Sequence, residues 1–335
     1  MRNFLSKVLL FLAIPFALIL ISDIILRNQN TLYKEKYEGA KKAKDSIEVM
    51  ILGTSQATYG INPEAFDFYA YNVANLGQSI YFDKRITLSL LPELPRLKYV
   101  FISLGYHSYA FSSQEYRDVW SYYGHGIKYK NSNYLLAEIS PTLFGYTPKV
   151  AFAMHKNRFL DLWKYGKDIV DFEVQSGVDK YKPAVKGFIA LEGRDSTNFN
   201  PKAFDFLSNH YTEVIDNSNE KEEIVADLED FIEKLLAKGI TPVLITIPTY
   251  EEYNEYLNQK YIEESVKTSS QIAQKYNIQF WNLYDSDEFS LEDFRDMDHL
   301  NREGSLKFSQ MLNDSLKKLE MEKNRSVASY YSSDY

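Results

Sequence analysis

The sequence predicts an α/β fold in which a parallel sheet of five strands lies between two layers of helices. Short apolar runs bounded by polar residues alternate along the chain with longer amphipathic stretches, a pattern typical of strand–helix units. Serine or glycine follows closely after three of these runs, as expected where buried strands give way to loops. Because parallel strands need both faces covered, the helices should lie on both sides of the sheet.

The five apolar runs are predicted as the strands of this sheet. Each is short, is rich in aliphatic residues and is bounded by polar or turn-forming residues, as buried strands are. They are Ile47–Gly53, Ala70–Leu76, Lys98–Leu104, Ile240–Ile247 and Ile278–Leu283.

The stretches between the runs predict helices. After Asn62, Pro63 stands at a first helical position, where its missing N–H has no cost. Asn219 is expected to cap an amphipathic helix, with Glu222 three residues later. Further helices are predicted over Asp83–Leu94, Tyr250–Tyr276 and Leu306–Leu319.

The N-terminus carries a candidate membrane anchor. Residues 4–26 are almost wholly apolar, and a helix needs roughly 20 such residues to cross a bilayer core. A cleaved signal peptide is the alternative, but no small-residue cleavage site follows the run. We therefore expect a transmembrane helix that crosses the cell membrane once, a polar stalk over residues 27–46 and an extracytoplasmic folded domain.

Composition excludes several classes of function. The net charge of −8 argues against nucleic acid as a partner, because binding it needs a basic surface. The chain has no cysteine, which excludes disulfides and cysteine-based metal sites. No Gly-rich phosphate-binding loop occurs either, so we expect neither a cofactor nor a metal.

Residues 106–217 break the strand–helix rhythm and are rich in tyrosine and phenylalanine. We interpret this stretch as a large insertion, or a lid, over one edge of the sheet. Its aromatic residues Trp120 and Tyr122 are candidates for contact with a sugar, although a core role is the more ordinary one for such residues. Three of its histidines, His125, His155 and His210, are expected to be structural or exposed.

A serine and an Asp-x-x-His sequence at opposite ends of the chain have the composition of a catalytic triad. Ser55 follows the first predicted strand, and Asp296 and His299 precede the last helix. Serine is a weak nucleophile unless a base takes its proton and a third group orients that base. Asp298 is an alternative orienting residue. Each residue has an ordinary structural alternative, but together they predict acyl-transfer chemistry.

Three predicted strands end near small residues that should meet at one edge of the sheet. Ser55, Gly77 and Gly105 each follow the C-terminal end of a strand, which is where ligands bind in parallel sheets. Gln56, beside the proposed nucleophile, is a candidate for contact with the substrate.

These stretches resemble the sequence blocks of the SGNH (GDSL-like) hydrolase superfamily. Gly53-Thr54-Ser55 resembles its Gly-Asp-Ser block, with threonine in place of aspartate, and Asp296 and His299 match its closing Asp-x-x-His block. The resemblance implies that Ser55 is the nucleophile, His299 the base and Asp296 the residue that orients it.

The resemblance also implies the donors of an oxyanion hole. The backbone N–H groups of Ser55 and Gly77 would supply two of them, since Asn75-Leu76-Gly77 looks like the second block. The third block, Gly-x-Asn-Asp, departs from the pattern, because His107 stands where the asparagine is usual. A neutral imidazole N–H would replace the amide, with a sensitivity to pH near 6.5.

The domain boundaries follow from the same resemblance. It covers residues 47–105 and 220–320 and implies a flavodoxin-like three-layer α/β/α domain over residues 47–320. Residues 106–217 would be an insertion in that domain, and residues 321–335 a C-terminal tail.

Within the superfamily the chain is most similar to membrane-anchored members that work outside the cytoplasm. Alginate O-acetyltransferase accessory proteins and the lipoteichoic-acid D-alanylation protein are of this kind. The resemblance implies an O-acetyltransferase or acylesterase that acts on an acylated glycan or cell-wall polymer beside a membrane-bound O-acyltransferase. The substituted positions Thr54 and His107 leave open a catalytically silent partner of such a complex. The aromatic insertion leaves open a glycan-binding module.

Overall fold

The computed structural model describes residues 2–27, 31–112, 115–129, 184–195, 197 and 199–332. The chain divides into two units, Met1–Tyr37 with Ser113–Tyr181 and Glu38–Ser112 with Lys182–Tyr335. We call the second the sheet unit, because it contains every strand of the described residues. In chain order the elements are α1 (Arg2–Arg27), α2 (Leu32–Lys42), β1 (Val49–Leu52), α3 (Ser55–Gly60), β2 (Ala70–Asn72), α4 (Ile80–Leu90), β3 (Tyr99–Ser103), α5 (Glu115–His125), α6 (Pro201–Asp216), α7 (Lys221–Leu236), β4 (Thr241–Ile245), α8 (Glu251–Asn254), α9 (Gln259–Tyr276), β5 (Gln279–Trp281) and α10 (Arg302–Ser332).

The predicted sheet of five parallel strands is confirmed. Its strand order is β2-β1-β3-β4-β5, and every neighbouring pair is parallel. The chain passes from β1 to β2 on one side and then returns to β3 on the other, so the order reverses between β1 and β3. In open α/β sheets this reversal leaves a crevice at the C-terminal ends of the strands, where ligands bind.

Helices cover both faces of the sheet. Successive side chains of a strand point to opposite faces, and β1 divides its side chains in this way. Val49 and Ile51 belong to the same core cluster as Leu312 of α10. On the other face, the sulfur of Met50 accepts a hydrogen bond of 3.5 Å from Thr87 Oγ1 of α4. Helix α7 packs on α4 and β4, which gives the predicted three layers.

Two predicted helices end or divide where local chemistry interrupts them. Tyr250–Tyr276 is not one helix, because the side chain of Asn258 accepts from Lys260 N–H and begins α9 as a separate helix. Helix α4 ends at Leu90 and a 3₁₀ turn follows over Leu91–Glu93, where Pro92 lacks the N–H that would continue an α-helix.

Two other helix boundaries also differ from the prediction. Glu220 rather than Asn219 occupies the N-cap position of α7, and the Glu220 carboxylate accepts from Ser112 N–H at 2.9 Å. Helix α10 begins earlier and ends later than Leu306–Leu319, and it continues to Ser332 through most of the predicted tail. Residues 320–325 include four charged side chains and a single apolar one, so the apolar period of the helix is interrupted there.

Helix α1 contains the predicted membrane anchor, residues 4–26. Among the described residues, no helix has both the length and the apolar character needed to cross a membrane. The structure therefore does not support the predicted anchor, and the extracytoplasmic location stays a prediction. Helix α2 occupies much of the predicted stalk.

About half of the predicted insertion, residues 106–217, falls outside the described residues, which omit 130–183. Its C-terminal part is helix α6, in the sheet unit. Phe204 of α6 is buried, and its ring lies 5.8 Å from that of Tyr253. This part of the stretch therefore packs on the sheet unit through aromatic side chains.

The packing of α10 on the sheet yields a stability prediction. Leu312 is fully buried in the core, whereas Leu306 on the same helix is 42% exposed. Leu312→Ala should lower the free energy of unfolding by about 2–5 kcal/mol, because it removes buried methyl groups and leaves a cavity. Leu306→Ala is the matched control and should change it by less than about 1 kcal/mol. Equal losses in urea unfolding would contradict the assigned packing of α10.

Candidate active site

Ser55 lies at the C-terminal edge of the sheet, after a turn whose geometry favours glycine. Strand β1 ends at Leu52, and Gly53 follows with a φ of 131°, which side chains rarely adopt. A Cβ on Gly53 would also lie 2.7 Å from Cβ of Ser103 on β3. Thr54 then takes the N-cap position, and Ser55 is the first residue of α3.

His299 and Asp296 lie on a tight loop that leads into α10. Phe294 and Leu300 form an antiparallel bridge at its base, and both are buried in the core. Asn301 closes the loop, since its Nδ2 donates to the Phe294 carbonyl at 3.4 Å while its Oδ1 accepts from Gly304 N–H at 2.9 Å. The start of α10 and the core thus fix the positions of His299 and Asp296.

The three predicted triad residues meet in a continuous line of hydrogen bonds. Nε2 of His299 lies 2.8 Å from Oγ of Ser55, and Nδ1 lies 3.0 Å from Oδ1 of Asp296. Since a carboxylate only accepts, Nδ1 carries the proton and Nε2 is left to accept from the Ser55 hydroxyl. The ring of Tyr59 meets the imidazole edge-on, with centroids 5.5 Å apart. This arrangement can remove a proton from Ser55.

The charge on Asp296 is stabilised by its neighbours. Burial raises the pKa of its carboxyl, but His299 and the backbone N–H groups of Asp298 and His299 lower it, with a net pKa below the ordinary value. Both N–H groups donate to Oδ1 at 2.9 Å. Asp296 is therefore ionised at neutral pH and fixes the tautomer of His299.

Asp298 does not orient His299 and instead bonds to Gln56. Nε2 of Gln56 donates to Oδ1 of Asp298 at 2.8 Å, and both side chains are buried. Burial raises the pKa of Asp298, although His299 and Gln56 lower it in part. The Gln56 amide nitrogen thus joins α3 to the histidine loop, and a substrate contact by Gln56 stays a prediction.

Gly77 lies in a turn that is tied to the end of β1. It has a φ of 61°, and the backbone N–H of Asn75 donates to the carbonyl of Gly53 at 3.2 Å. The turn therefore lies at the same edge of the sheet as Ser55, as predicted. The role of its N–H in an oxyanion hole stays a prediction.

His107 is buried against Gly105 and between aromatic rings. It stacks on Tyr211 with centroids 4.6 Å apart. A Cβ on Gly105 would lie 2.9 Å from Cε1 of His107 and 3.3 Å from Oε1 of Gln56. The imidazole therefore lies near Gln56, the residue that follows Ser55. Among the described residues, Nδ1 of His107 has no hydrogen-bond partner.

The environment of His107 moves its titration away from neutral pH. Burial lowers its pKa to about 4, with smaller contributions from His210 and His299. The expected sensitivity to pH near 6.5 is therefore wrong, because solvent does not stabilise a charged imidazole at this position. His107 is neutral at physiological pH and can donate one N–H.

The other predicted contacts lie elsewhere in the chain. Trp120 and Tyr122 belong to α5, which is not part of the sheet unit, and the side chain of Trp120 falls outside the described residues. Their contact with a sugar stays a prediction. His125 packs on Tyr37, and His155 lies outside the described residues.

Two residues that contact this site were not predicted from the sequence. Tyr59, which packs on His299, lies four residues after Ser55, one helical turn along α3, and this spacing is a usable signal. Asp83 accepts a hydrogen bond from Gly53 N–H at 3.2 Å. From the sequence alone, Asp83 is indistinguishable from any acidic residue in the first turn of a helix. Among the described residues, no cluster of three or more His, Asp or Glu side chains is placed to hold a metal ion.

Comparisons with known proteins add little to this geometry. No family model and no curated protein matches the chain. The chain is similar to a solved structure from Streptococcus pneumonia, provisionally described as a platelet activating factor, with 12% identity and a TM-score of 0.40. The match covers 92% of this chain and 98% of that one. Similarity at this level assigns no function.

The neutral, buried imidazole of His107 yields a prediction about stability and pH. With a pKa of about 4 in the folded chain and about 6.5 when unfolded, His107 binds more protons in the unfolded state between these values. The wild type should therefore lose stability as pH falls from about 6.5 to about 4.

His107→Phe keeps an aromatic ring for stacking but cannot titrate. The variant should lose less stability than the wild type over this pH range, by on the order of 3 kcal/mol at about 1.4 kcal/mol per pKa unit. Urea unfolding at a series of pH values measures the difference. Parallel pH profiles would show that His107 titrates normally in the folded chain.

Proposed function

We propose that this protein is a serine-dependent acyl-transfer enzyme, an esterase or O-acyltransferase, with Ser55 as its nucleophile. One observation carries the proposal, the line of hydrogen bonds from Ser55 Oγ to His299 Nε2 at 2.8 Å and from His299 Nδ1 to Asp296 at 3.0 Å. Such a line activates a hydroxyl that is otherwise a poor nucleophile. It lies at the sheet edge where ligands of this architecture bind.

In the proposed reaction Ser55 Oγ attacks the carbonyl carbon of an ester while its proton passes to Nε2 of His299. The tetrahedral intermediate then collapses, the alkoxide leaves with the proton from His299, and the acyl group stays on Ser55. Water or a sugar hydroxyl next gives its proton to His299 and attacks the acyl carbon. The second tetrahedral intermediate collapses as His299 returns that proton to Ser55 Oγ, which restores the serine and releases the free acid or the acylated sugar. Asp296 stabilises the imidazolium in both halves of the reaction.

The proposed oxyanion hole consists of the N–H groups of Ser55 and Gly77, with His107 as the third donor. Two observations support this role for His107: its buried Nδ1 has no hydrogen-bond partner among the described residues, and a Cβ on Gly105 would contact both the imidazole and Gln56, which follows Ser55. Removal of one such donor typically lowers turnover by about 10²–10³.

We further propose that the substrate is an acylated polysaccharide or cell-wall polymer. This part rests on the resemblance of the sequence to anchored members of the SGNH superfamily and on the apolar run 4–26. The same resemblance supports a membrane-bound O-acyltransferase as partner and a location outside the cytoplasm. Release of acetate would identify an esterase, and transfer to an added oligosaccharide would identify a transferase.

Ser55→Ala tests the covalent role of the serine. With p-nitrophenyl acetate, the wild type should show turnover and a mass gain of one acetyl group on Ser55, and the variant should show neither. Ser89→Ala, on α4, is the control and should behave as the wild type. Turnover that survives Ser55→Ala would overturn the covalent role of Ser55. A wild type that shows neither turnover nor an acetyl adduct would overturn the proposal and favour a catalytically silent component of an acyltransferase complex.

Two aspartates of one loop offer a matched pair for the orienting role. Asp296→Asn should lower kcat by about 10³–10⁴, because an amide favours the wrong tautomer of His299. Asp298→Asn should lower kcat by less than about tenfold, since Asp298 bonds to Gln56 and not to the imidazole. Steady-state kinetics on a soluble ester measures both values. If Asp298→Asn lowered kcat more than Asp296→Asn, Asp298 and not Asp296 would be the residue that orients His299.

A further inference from the structure

Asp83 is a buried carboxylate between the two backbone segments of the proposed oxyanion hole. It lies in the first turn of α4 and is 1% exposed. Its Oδ1 accepts two hydrogen bonds, from Gly53 N–H at 3.2 Å and from Gln78 Nε2 at 2.7 Å. Gly53 comes two residues before Ser55, and Gln78 comes directly after Gly77.

These contacts belong to a closed ring of hydrogen bonds. Oε1 of Gln78 accepts from Nδ2 of Asn75 at 3.3 Å. The backbone N–H of Asn75 in turn donates to the carbonyl of Gly53 at 3.2 Å. The ring runs from Gly53 through Asp83, Gln78 and Asn75 and returns to Gly53. It therefore joins the segment that carries Ser55 to the turn that carries Gly77.

Burial of the Asp83 carboxyl group carries an electrostatic cost. Among the described residues Asp83 has no ion pair with a cation, and its neighbour Lys84 instead contacts Asp227 at 2.6 Å. Burial raises the pKa of Asp83 to about 7, although the bonds from Gln78 and Gly53 lower it in part. A buried carboxylate without a cation is costly. Perturbed buried groups of this kind concentrate at functional sites.

We propose that Asp83 is a positioning residue that fixes the spacing between the N–H groups of Ser55 and Gly77. The inference rests on the proposed function, since these N–H groups matter only if an oxyanion forms. Because the oxyanion exists in the transition state and not in bound substrate, a disturbed spacing should lower kcat and leave KM nearly unchanged.

Two substitutions of Asp83 distinguish the effect of losing the hydrogen-bond acceptor from the effect of losing the charge. Asp83→Leu removes the acceptor of both hydrogen bonds and should lower kcat by about 10²-fold, with KM within about twofold. Asp83→Asn keeps an oxygen acceptor, so its kcat should stay within about fivefold of the wild type. Thr87→Val is the control, because Thr87 lies one turn further along α4 and bonds to Asp83 only through the backbone carbonyl.

Gln78→Leu provides a second route if Asp83→Leu does not fold. It breaks the ring on the side of Gly77 and should give the same loss in kcat without a change in KM. Hydrogen exchange supplies a readout that does not depend on activity. Either variant should speed amide exchange in peptides that cover residues 49–56 and 73–79, and leave peptides that cover β4 unchanged.

The outcomes distinguish this inference from the proposed function. Unchanged exchange in both segments would overturn the positioning role, whatever the activity. Faster exchange with unchanged kcat, in a protein that Ser55→Ala inactivates, would also overturn it. Turnover that survives Ser55→Ala would instead overturn the proposed function, while the exchange experiment would still show whether Asp83 joins the two segments.

Discussion

The hydrogen bond between His299 Nε2 and Ser55 Oγ is the contact on which the proposed chemistry of this protein depends. It joins residues 244 positions apart in the chain at 2.8 Å. Neither residue has unusual chemistry in isolation, because a serine hydroxyl is unreactive and an unoriented imidazole is a poor base for it. The rest of the sheet unit supplies what this contact needs, a fixed position for each of the two groups.

The sheet and α10 supply those positions. Strand β1 lies inside the sheet, between β2 and β3, so the end of β1 and Ser55 have little freedom. Helix α10 packs on α3 and on the core beneath β1, and Asn301 closes the histidine loop at the start of that helix. A large share of the apolar core therefore maintains one polar contact at the surface of the unit.

Local patterns in the sequence were sufficient to predict the strands and the three residues of the Ser55–His299–Asp296 line of hydrogen bonds. Apolar runs and a close Asp-x-x-His spacing are short-range signals, and they placed the five strands, Ser55, Asp296 and His299. Burial and contacts between distant segments could not be predicted from such local patterns. The partner of Asp298, the low pKa of His107 and the contacts of Asp83 arise only when segments far apart in sequence meet. Several helix boundaries were predicted wrongly for a related reason. A single capping residue such as Asn258 can begin a new helix inside a stretch whose apolar residues keep a helical spacing.

Labelling with a fluorophosphonate tests whether His299 activates Ser55, because this probe reacts rapidly with a serine that a base activates. We expect one label per chain, located on Ser55 by peptide mass analysis, and labelling at least about 10²-fold slower in His299→Ala. A label on another serine, or equal rates in the wild type and His299→Ala, would contradict the claim that His299 activates Ser55.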